Sequence, residues 1–336
     1  MALAGKRIGV TGGAGFIGSH LVERLLEQNE VVVYDNLHRN ALQFAHVERH
    51  EHLHFVQGDV LDLAATTRAL AGCNIVIHCA AIAGVYSVVK SSVRTMEVNL
   101  LGTNTAIHAA LSAGVERFVD FSTSEVYGAF VHNAKESEPT ALGPVGEARW
   151  VYAASKLASE HLSFAHHLES GLPLAIVRPF NVYGPRQLIK HDRQGFIGWF
   201  IRTAIEDKTI HIYGDGSQLR DLVFVDDAAD AFLRAGALDA CNGDVFNVGG
   251  AQPISLRDLA AELVTIAASG RVEFVGWPDD KKAIDIGSFY ADSTKFTRVT
   301  GWTPVVQLSD GLRATVDFYR QYLSRYIDES NVAGRP

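Results

Sequence analysis

Short apolar runs alternate with stretches of helical spacing over the first half of the chain. The runs Ile8-Gly9-Val10, Val31-Val32-Val33-Tyr34, Leu53-His54-Phe55-Val56, Ile75-Val76-Ile77-His78-Cys79, Arg117-Phe118-Val119-Asp120-Phe121 and Leu174-Ala175-Ile176-Val177 are short enough for strands. Between them, Leu21-Val22-Glu23-Arg24-Leu25-Leu26 and the segments 93–113 and 152–169 carry apolar residues at helical spacing. Strands alternating with helices predict a parallel sheet covered on both faces, with ligands at the carboxyl ends of its strands. The sixth run is expected to complete that sheet. Beyond Arg178 the rhythm changes to a turn-rich loop and short, scattered strands. The expected division is 1–178 for the first domain, with some later segments returning to it, 179–326 mainly for a smaller, discontinuous second lobe, and 327–336 for a tail.

The first run leads into Gly12-Gly13-Ala14-Gly15-Phe16-Ile17-Gly18 and then into the first helical stretch. At a strand-to-helix turn, glycine opens backbone angles closed to other residues, and the free N–H groups of the helix start attract an anion. Gly12, Gly15, Phe16, Ile17 and Gly18 are therefore expected to cradle a pyrophosphate. The second strand ends on Asp35, followed by Asn36, at the distance where a dinucleotide fold places an acid on the adenosine ribose. A carboxylate there repels a 2′-phosphate, which favours NAD over NADP. The fold class is thus α/β, a Rossmann-type doubly wound parallel sheet with a smaller C-terminal substrate lobe. Ala80 and Ala81, after the fourth strand, are small enough for the chain to pass close to the cofactor.

Composition narrows the function classes. With 336 residues, 47% of them hydrophobic, the chain can bury a large core. Its net charge of −8 and lack of a dense basic run speak against nucleic acid. Cys73, Cys79 and Cys241 form neither a disulfide framework nor a metal-ligand spacing, so a reducing compartment is expected. No apolar run reaches the ~18 residues of a membrane helix, and only a few residues precede the first strand. Neither membrane span nor signal peptide is expected, and the cytoplasm is the expected location. His46, His50, His52 and His54 cluster in sequence, but strand alternation divides His52 and His54 from their neighbours, and no metal is expected.

The fifth strand ends in Ser122-Thr123-Ser124-Glu125, and Tyr152-Ala153-Ala154-Ser155-Lys156 opens a helical stretch. Tyr152 and Lys156 share a helix face. Such a pair alone is often only a solvated face. With the glycine loop and the Ser-Thr strand end it becomes chemical: Tyr152 as base, Lys156 on the nicotinamide ribose and Thr123 sharing the proton. Bringing a tyrosine from ~10 to ~7 takes ~4 kcal/mol, which Lys156 and an oxidised nicotinamide are expected to supply.

This set, together with Arg178-Pro179-Phe180-Asn181-Val182-Tyr183-Gly184-Pro185, resembles the NAD-dependent epimerase/dehydratase family of nucleotide-sugar enzymes, within the extended short-chain dehydrogenases/reductases. The resemblance implies Asp59 and Val60 against the adenine, although Asp59 could instead cap the helix beginning near Asp62. It also implies Asn99, Ser122 and Pro179 in the cofactor site and Asn181 on a substrate phosphate. Arg220 would meet the diphosphate, unless it pairs with Asp215 or Asp221. Lys282 and Asp285 occupy positions where the family has a diphosphate-binding arginine and a ribose-binding acid, and Ala83, Tyr86, Arg193 and Tyr290 would line the substrate. The helices 93–113 and 152–169 commonly form a homodimer interface in this family.

Members begin alike, Tyr152 deprotonating the sugar 4-hydroxyl as C4 is oxidised. The expected reaction is 4-epimerisation of a UDP-hexose or UDP-hexuronate such as UDP-glucose or UDP-glucuronate. Glu125 keeps two alternatives open, because an acid there could take the C5 proton in a 4,6-dehydratase or a UDP-glucuronate decarboxylase. Ser124 stands where a dehydratase has the acid for its leaving hydroxyl, and Ala81-Ile82-Ala83-Gly84-Val85-Tyr86-Ser87 resembles the loop of glucuronate 4-epimerases. Outside this class lies a non-catalytic NAD sensor or scaffold.

Overall fold

The computed structural model describes residues 3–190, 195–278, 282 and 285–327, including all their side chains except those of residues 85–87. The apolar runs become β1 (Arg7–Thr11), β2 (Glu30–Asp35), β3 (Leu53–Gln57), β4 (Ile75–His78), β5 (Arg117–Phe121) and, after β6 (Val131–Ala134), β7 (Leu174–Pro179). The large sheet is parallel and has seven strands rather than six. Its order is β12-β7-β5-β4-β1-β2-β3, and the added edge strand β12 (Asp244–Val248) pairs along β7. Five residues of β12 carry no signal of their own that assigns them to a sheet begun 237 residues earlier.

Leu21, Val22 and Leu25 of α1 (Phe16–Leu25) and Phe232 of α8 (Val225–Ala237) join one apolar core of the sheet. Leu70 of α2 (Leu63–Leu70), Ala106 and Ile107 of α5 (Gly102–Ala113) and Phe164 of α6 (Trp150–Ser170) join another. Two helical details depart from expectation. The loop after Ala81 contains α3 (Val85–Lys90). The stretch expected as one helix is α4 (Ser92–Met96), a π-helical turn Glu97–Leu101 carrying Asn99, and α5. Widened turns of this kind concentrate at functional sites.

The second lobe is built from segments far apart in sequence. Its four-stranded sheet runs β13 (Ile254–Ser255), β10 (Leu219–Arg220), β15 (Phe289–Ala291), β6, so β6 crosses over from within the first 178 residues. Two small strand pairs join β8 (Val182–Tyr183) to β11 (Val223–Phe224) and β9 (Thr209–Tyr213) to β14 (Arg271–Val275). A separate core is formed by Ile197 and Ile201 of α7 (Phe196–Ile205), Leu259 and Leu263 of α9 (Leu256–Ala267), and Leu312 and Val316 of the C-terminal helix Leu308–Ile327. In return, β12 and α8 belong to the large sheet. Most of the expected tail, residues 328–336, lies outside the described residues.

Candidate active site

The sheet order reverses at β1, which has β2 on one side and β4 on the other, so the loops after β1 and β4 flank the crevice where such folds bind ligands. Gly12 there has φ +70°, and a Cβ on it would lie 2.6 Å from the Ala80 nitrogen; one on Gly18 would lie 2.3 Å from the Gly12 oxygen. Helix α1 starts at Gly15 with no side-chain cap and no acid in its first turn, leaving its first N–H groups for an anion. Asp35, at the end of β2, accepts hydrogen bonds from Ala14 N at 3.0 Å and Leu37 N at 2.7 Å, which fixes its carboxylate beside the glycine turn. Burial holds that carboxyl above its ordinary range. Asn36 is exposed and accepts from His38 N at 2.9 Å. This cradle fits a dinucleotide: close backbone approach, free amides and an acid at the end of the neighbouring strand.

Around it, Asp59 accepts from Leu61 N at 3.0 Å and pairs with Arg94, while Val60 packs beside Tyr34. The helix cap is Asp62, accepting from Ala65 N at 2.9 Å, so the capping alternative for Asp59 does not hold. Asn99 is fully buried. Its carboxamide accepts from Ile82 N at 2.8 Å and donates to Ile82 O at 3.1 Å and Ser155 Oγ at 2.9 Å, so its part is to hold the Ala80–Ile82 loop. Sequence reading missed Arg39, whose Nη2 donates to Ala83 O at 3.5 Å and ties the loop after β2 to the loop after β4. Pro179 closes β7, buried.

Thr123 caps the short turn Ser124–Tyr127, its Oγ1 accepting from Glu125 N at 3.2 Å. Its hydroxyl lies near enough to Tyr152 to favour the phenolate there. Strand end and α6 thus meet, as expected from the motif. The acidity is not as expected: burial, then the charge of Glu125, holds the Tyr152 hydroxyl well above its usual value, against a smaller lowering by Thr123. The Lys156 ammonium is turned into the core, where it donates to the Phe121 carbonyl, 1% exposed. Burial pulls Lys156 below the usual lysine range, while the carboxylates of Asp120, first, and Glu160 pull it back. The four-residue spacing of Tyr152 and Lys156 places both on one face but does not decide where the long lysine chain finds its partner.

Glu125 is open to the cleft with protein packed behind it; burial raises its carboxyl and Arg149 lowers it. Ser124 is turned inward and buried. Beneath them runs a buried network. Ser122 Oγ donates to Glu160, Arg178 grips Glu160, Arg178 Nη1 donates to the Tyr127 hydroxyl at 2.8 Å, and Tyr127 donates to Asn247 Oδ1 at 2.9 Å. The sequence carried half a signal for it, because Tyr152, Lys156 and Glu160 are spaced by four along α6.

In the second lobe, Asn181 Nδ2 donates to Asp221 O at 2.8 Å. Arg220 is buried, its Nη1 donating to Leu219 O at 2.9 Å and Gly287 O at 2.5 Å. It pairs with neither suspected acid: Asp215 holds Ser217 N at 3.0 Å, and Asp221 accepts from Gly250 N at 2.5 Å and Ala291 N at 3.0 Å. The carboxylate acting on Arg220 is Asp285, 65 positions away. Lys282 is exposed, and Tyr290 stacks on His132 with centroids 5.7 Å apart. Arg193 and the side chain of Tyr86 lie outside the described residues. Among the described residues no cluster of His, Cys, Asp and Glu is placed to hold a metal, and no helix is long and apolar enough to cross a membrane.

Fold and cradle together define a dinucleotide enzyme of the short-chain dehydrogenase/reductase type, built around a tyrosine–lysine pair. More narrowly, the chain belongs to the NAD dependent epimerase/dehydratase family, whose profile matches residues 8–249. A UDP-glucose 4-epimerase of Mycolicibacterium smegmatis is 36% identical over 93% of this chain and 97% of its own. A UDP-N-acetyl-alpha-D-glucosaminuronate decarboxylase of Bacillus cytotoxicus is 32% identical over 94% of this chain and 98% of its own. The structure of a dTDP-glucose 4,6-dehydratase of Streptomyces venezuelae, solved with NAD bound, is 33% identical and superposes with a TM-score of 0.82, covering 94% of this chain and 97% of its own. The protein is an NAD-dependent enzyme. Its relatives share the cofactor and differ in the reaction.

Proposed function

We propose that this enzyme is a nucleotide-sugar 4-epimerase acting on a UDP-hexose or UDP-hexuronate. The observation that carries the reading is Thr123 at the β5 end placed beside Tyr152 of α6, combined with a Ser124 that is buried next to it. Tyr152 takes the proton of the sugar 4-hydroxyl, with Thr123 sharing it, and returns it to the same oxygen once the ketone has turned over and is reduced at its other face. NAD, when bound, supplies the oxidising equivalent at C4 and takes it back. Arg220 and Asn181 hold the diphosphate, a role suited to a guanidinium, so that the sugar can turn while the nucleotide stays in place. No group at Ser124 is aimed at a departing 6-hydroxyl.

One observation favours a second reading. Glu125 faces the cleft next to Tyr152, with its carboxyl raised by burial, and could take a C5 proton as dehydration requires or assist loss of a 6-carboxylate. Proton NMR of the enzyme in heavy water with UDP-glucuronate, and separately with UDP-glucose, without added NAD, decides. A new anomeric signal of the C4 epimer without deuterium at C5 is expected. A 6-deoxy-4-keto sugar, a pentose, or C5 deuterium overturns epimerisation in favour of the Glu125 chemistry.

The enzyme is also proposed to be a homodimer in the cytoplasm. Val93, Leu101 and Leu168 are more than half exposed on α4, the π-helical turn and α6, an apolar face for a second copy. A monomer mass in solution at micromolar concentration removes the dimer.

A further inference from the structure

The buried acid Asp120 has no place in the chemistry above. It lies on β5, 1% exposed, one residue before the carbonyl that holds Lys156. Its Oδ2 accepts from Ser163 Oγ on α6 at 2.7 Å, and its Oδ1 is buried with no hydrogen-bond partner. The titratable groups around it come from three elements. From α6 come Lys156 and Glu160, from β4 and its end His78 and Cys79, and from β7 Arg178. Four of these five offer it no free positive charge. Glu160 is committed to Arg178, two of its bonds to the guanidinium measuring 2.8 and 2.5 Å. His78 stands opposite Asp120 in register but is neutral, burial pushing its pKa down to about 3. Thr103 uses its own proton on Asn99 O, so it accepts from His78 Nε2 at 3.0 Å, which leaves Nδ1 to accept from Thr11 at 2.7 Å. Cys79 is a thiol held far from ionisation by burial. The one cation left for Asp120 is Lys156.

We propose that Asp120 is the buried counter-charge of Lys156, a positioning residue that keeps the ammonium on the β5 end so that part of its charge acts inside the core rather than on the Tyr152 hydroxyl. This rests on the assignment of Tyr152 and Lys156 as the working pair. Glu160 cannot serve instead, since releasing it strands Arg178. Removing the carboxylate frees Lys156 toward the cleft and makes Tyr152 more acidic.

The test is an ultraviolet titration of tyrosinate at 295 nm on the NAD-loaded protein, with the Tyr152→Phe curve subtracted to isolate one hydroxyl. In Asp120→Asn the midpoint is expected at least half a pH unit below wild type. Ser163→Ala, which removes only the bond to Oδ2, is expected to move it the same way by less, and it stands in if Asp120→Asn does not fold. An unmoved midpoint, one that rises, or one beyond the accessible range in both proteins overturns the proposal. Turnover of UDP-hexoses is measured apart: a shifted titration without turnover overturns the substrate reading alone.

Discussion

Glu160 and Arg178 meet across the junction of α6 and β7 in a two-toothed ion pair, Nε to Oε1 at 2.8 Å and Nη2 to Oε2 at 2.5 Å, with both side chains buried. The pair sits under the strand end that carries Thr123, linked to it by Ser122 and to Asn247 on β12 by Tyr127. Removing one partner of a buried pair leaves the other charge uncompensated, at a cost of about 3–5 kcal/mol. Arg178→Met is expected to lower stability by that amount in chemical denaturation, and the double variant with Glu160→Leu to recover part of it. Equal losses in the single and double variants speak against the pair as a coupled unit.

Tyr152→Phe keeps the ring and removes the proton carrier. Turnover is expected to fall by about two to four orders of magnitude, the usual worth of a positioned acid–base group, while NAD stays bound. Product formation by NMR and the NAD released on acid precipitation give the two readings.

The charge of Glu125 raises the Tyr152 hydroxyl, so the phenolate that the reaction needs forms at higher pH. Glu125→Gln removes that charge, and the acid limb of kcat/KM moves to lower pH. Turnover within about tenfold of wild type fits a bystander, whereas loss by a factor of about 100 or more makes Glu125 a proton carrier.

Gly12 needs both its positive φ and its missing side chain, because a Cβ would press on the Ala80 main chain. Gly12→Ala is expected to purify folded by circular dichroism but with little bound NAD. Full retention of NAD by this variant would separate the loop from the cofactor.

His78 is buried as a neutral ring, its pKa pushed down from 6.5 to about 3, chiefly by burial and then by Lys156. Unfolding lets the ring take a proton below its unfolded pKa. The stability it contributes is therefore full above pH 6.5 and is lost as pH falls from there toward 3, by about 1.4 kcal/mol per pH unit. Between pH 6.5 and 5, His78→Gln is expected to lose stability less steeply than wild type, whatever its starting value. Parallel slopes in denaturant titrations remove His78 from the acid response.

What the chain announced by itself is what one element or one turn contains. The glycines between β1 and α1, the acid ending β2, the Thr-Ser-Glu after β5 and the Tyr-x-x-x-Lys of α6 are local patterns, because strand ends, tight turns and helix faces impose their spacing on neighbours in sequence. Those patterns carried the parallel sheet, NAD and the family. The tertiary structure alone decided what distant segments do to each other. It brought β12 to the sheet edge and β6 to the other lobe, set Asp285 against Arg220, and turned Lys156 toward Asp120 and Phe121. Strand pairing across long separations follows from the packing of whole layers, and a buried long side chain goes where a carbonyl and a counter-charge are left unmatched. Neither leaves a period in the sequence to read.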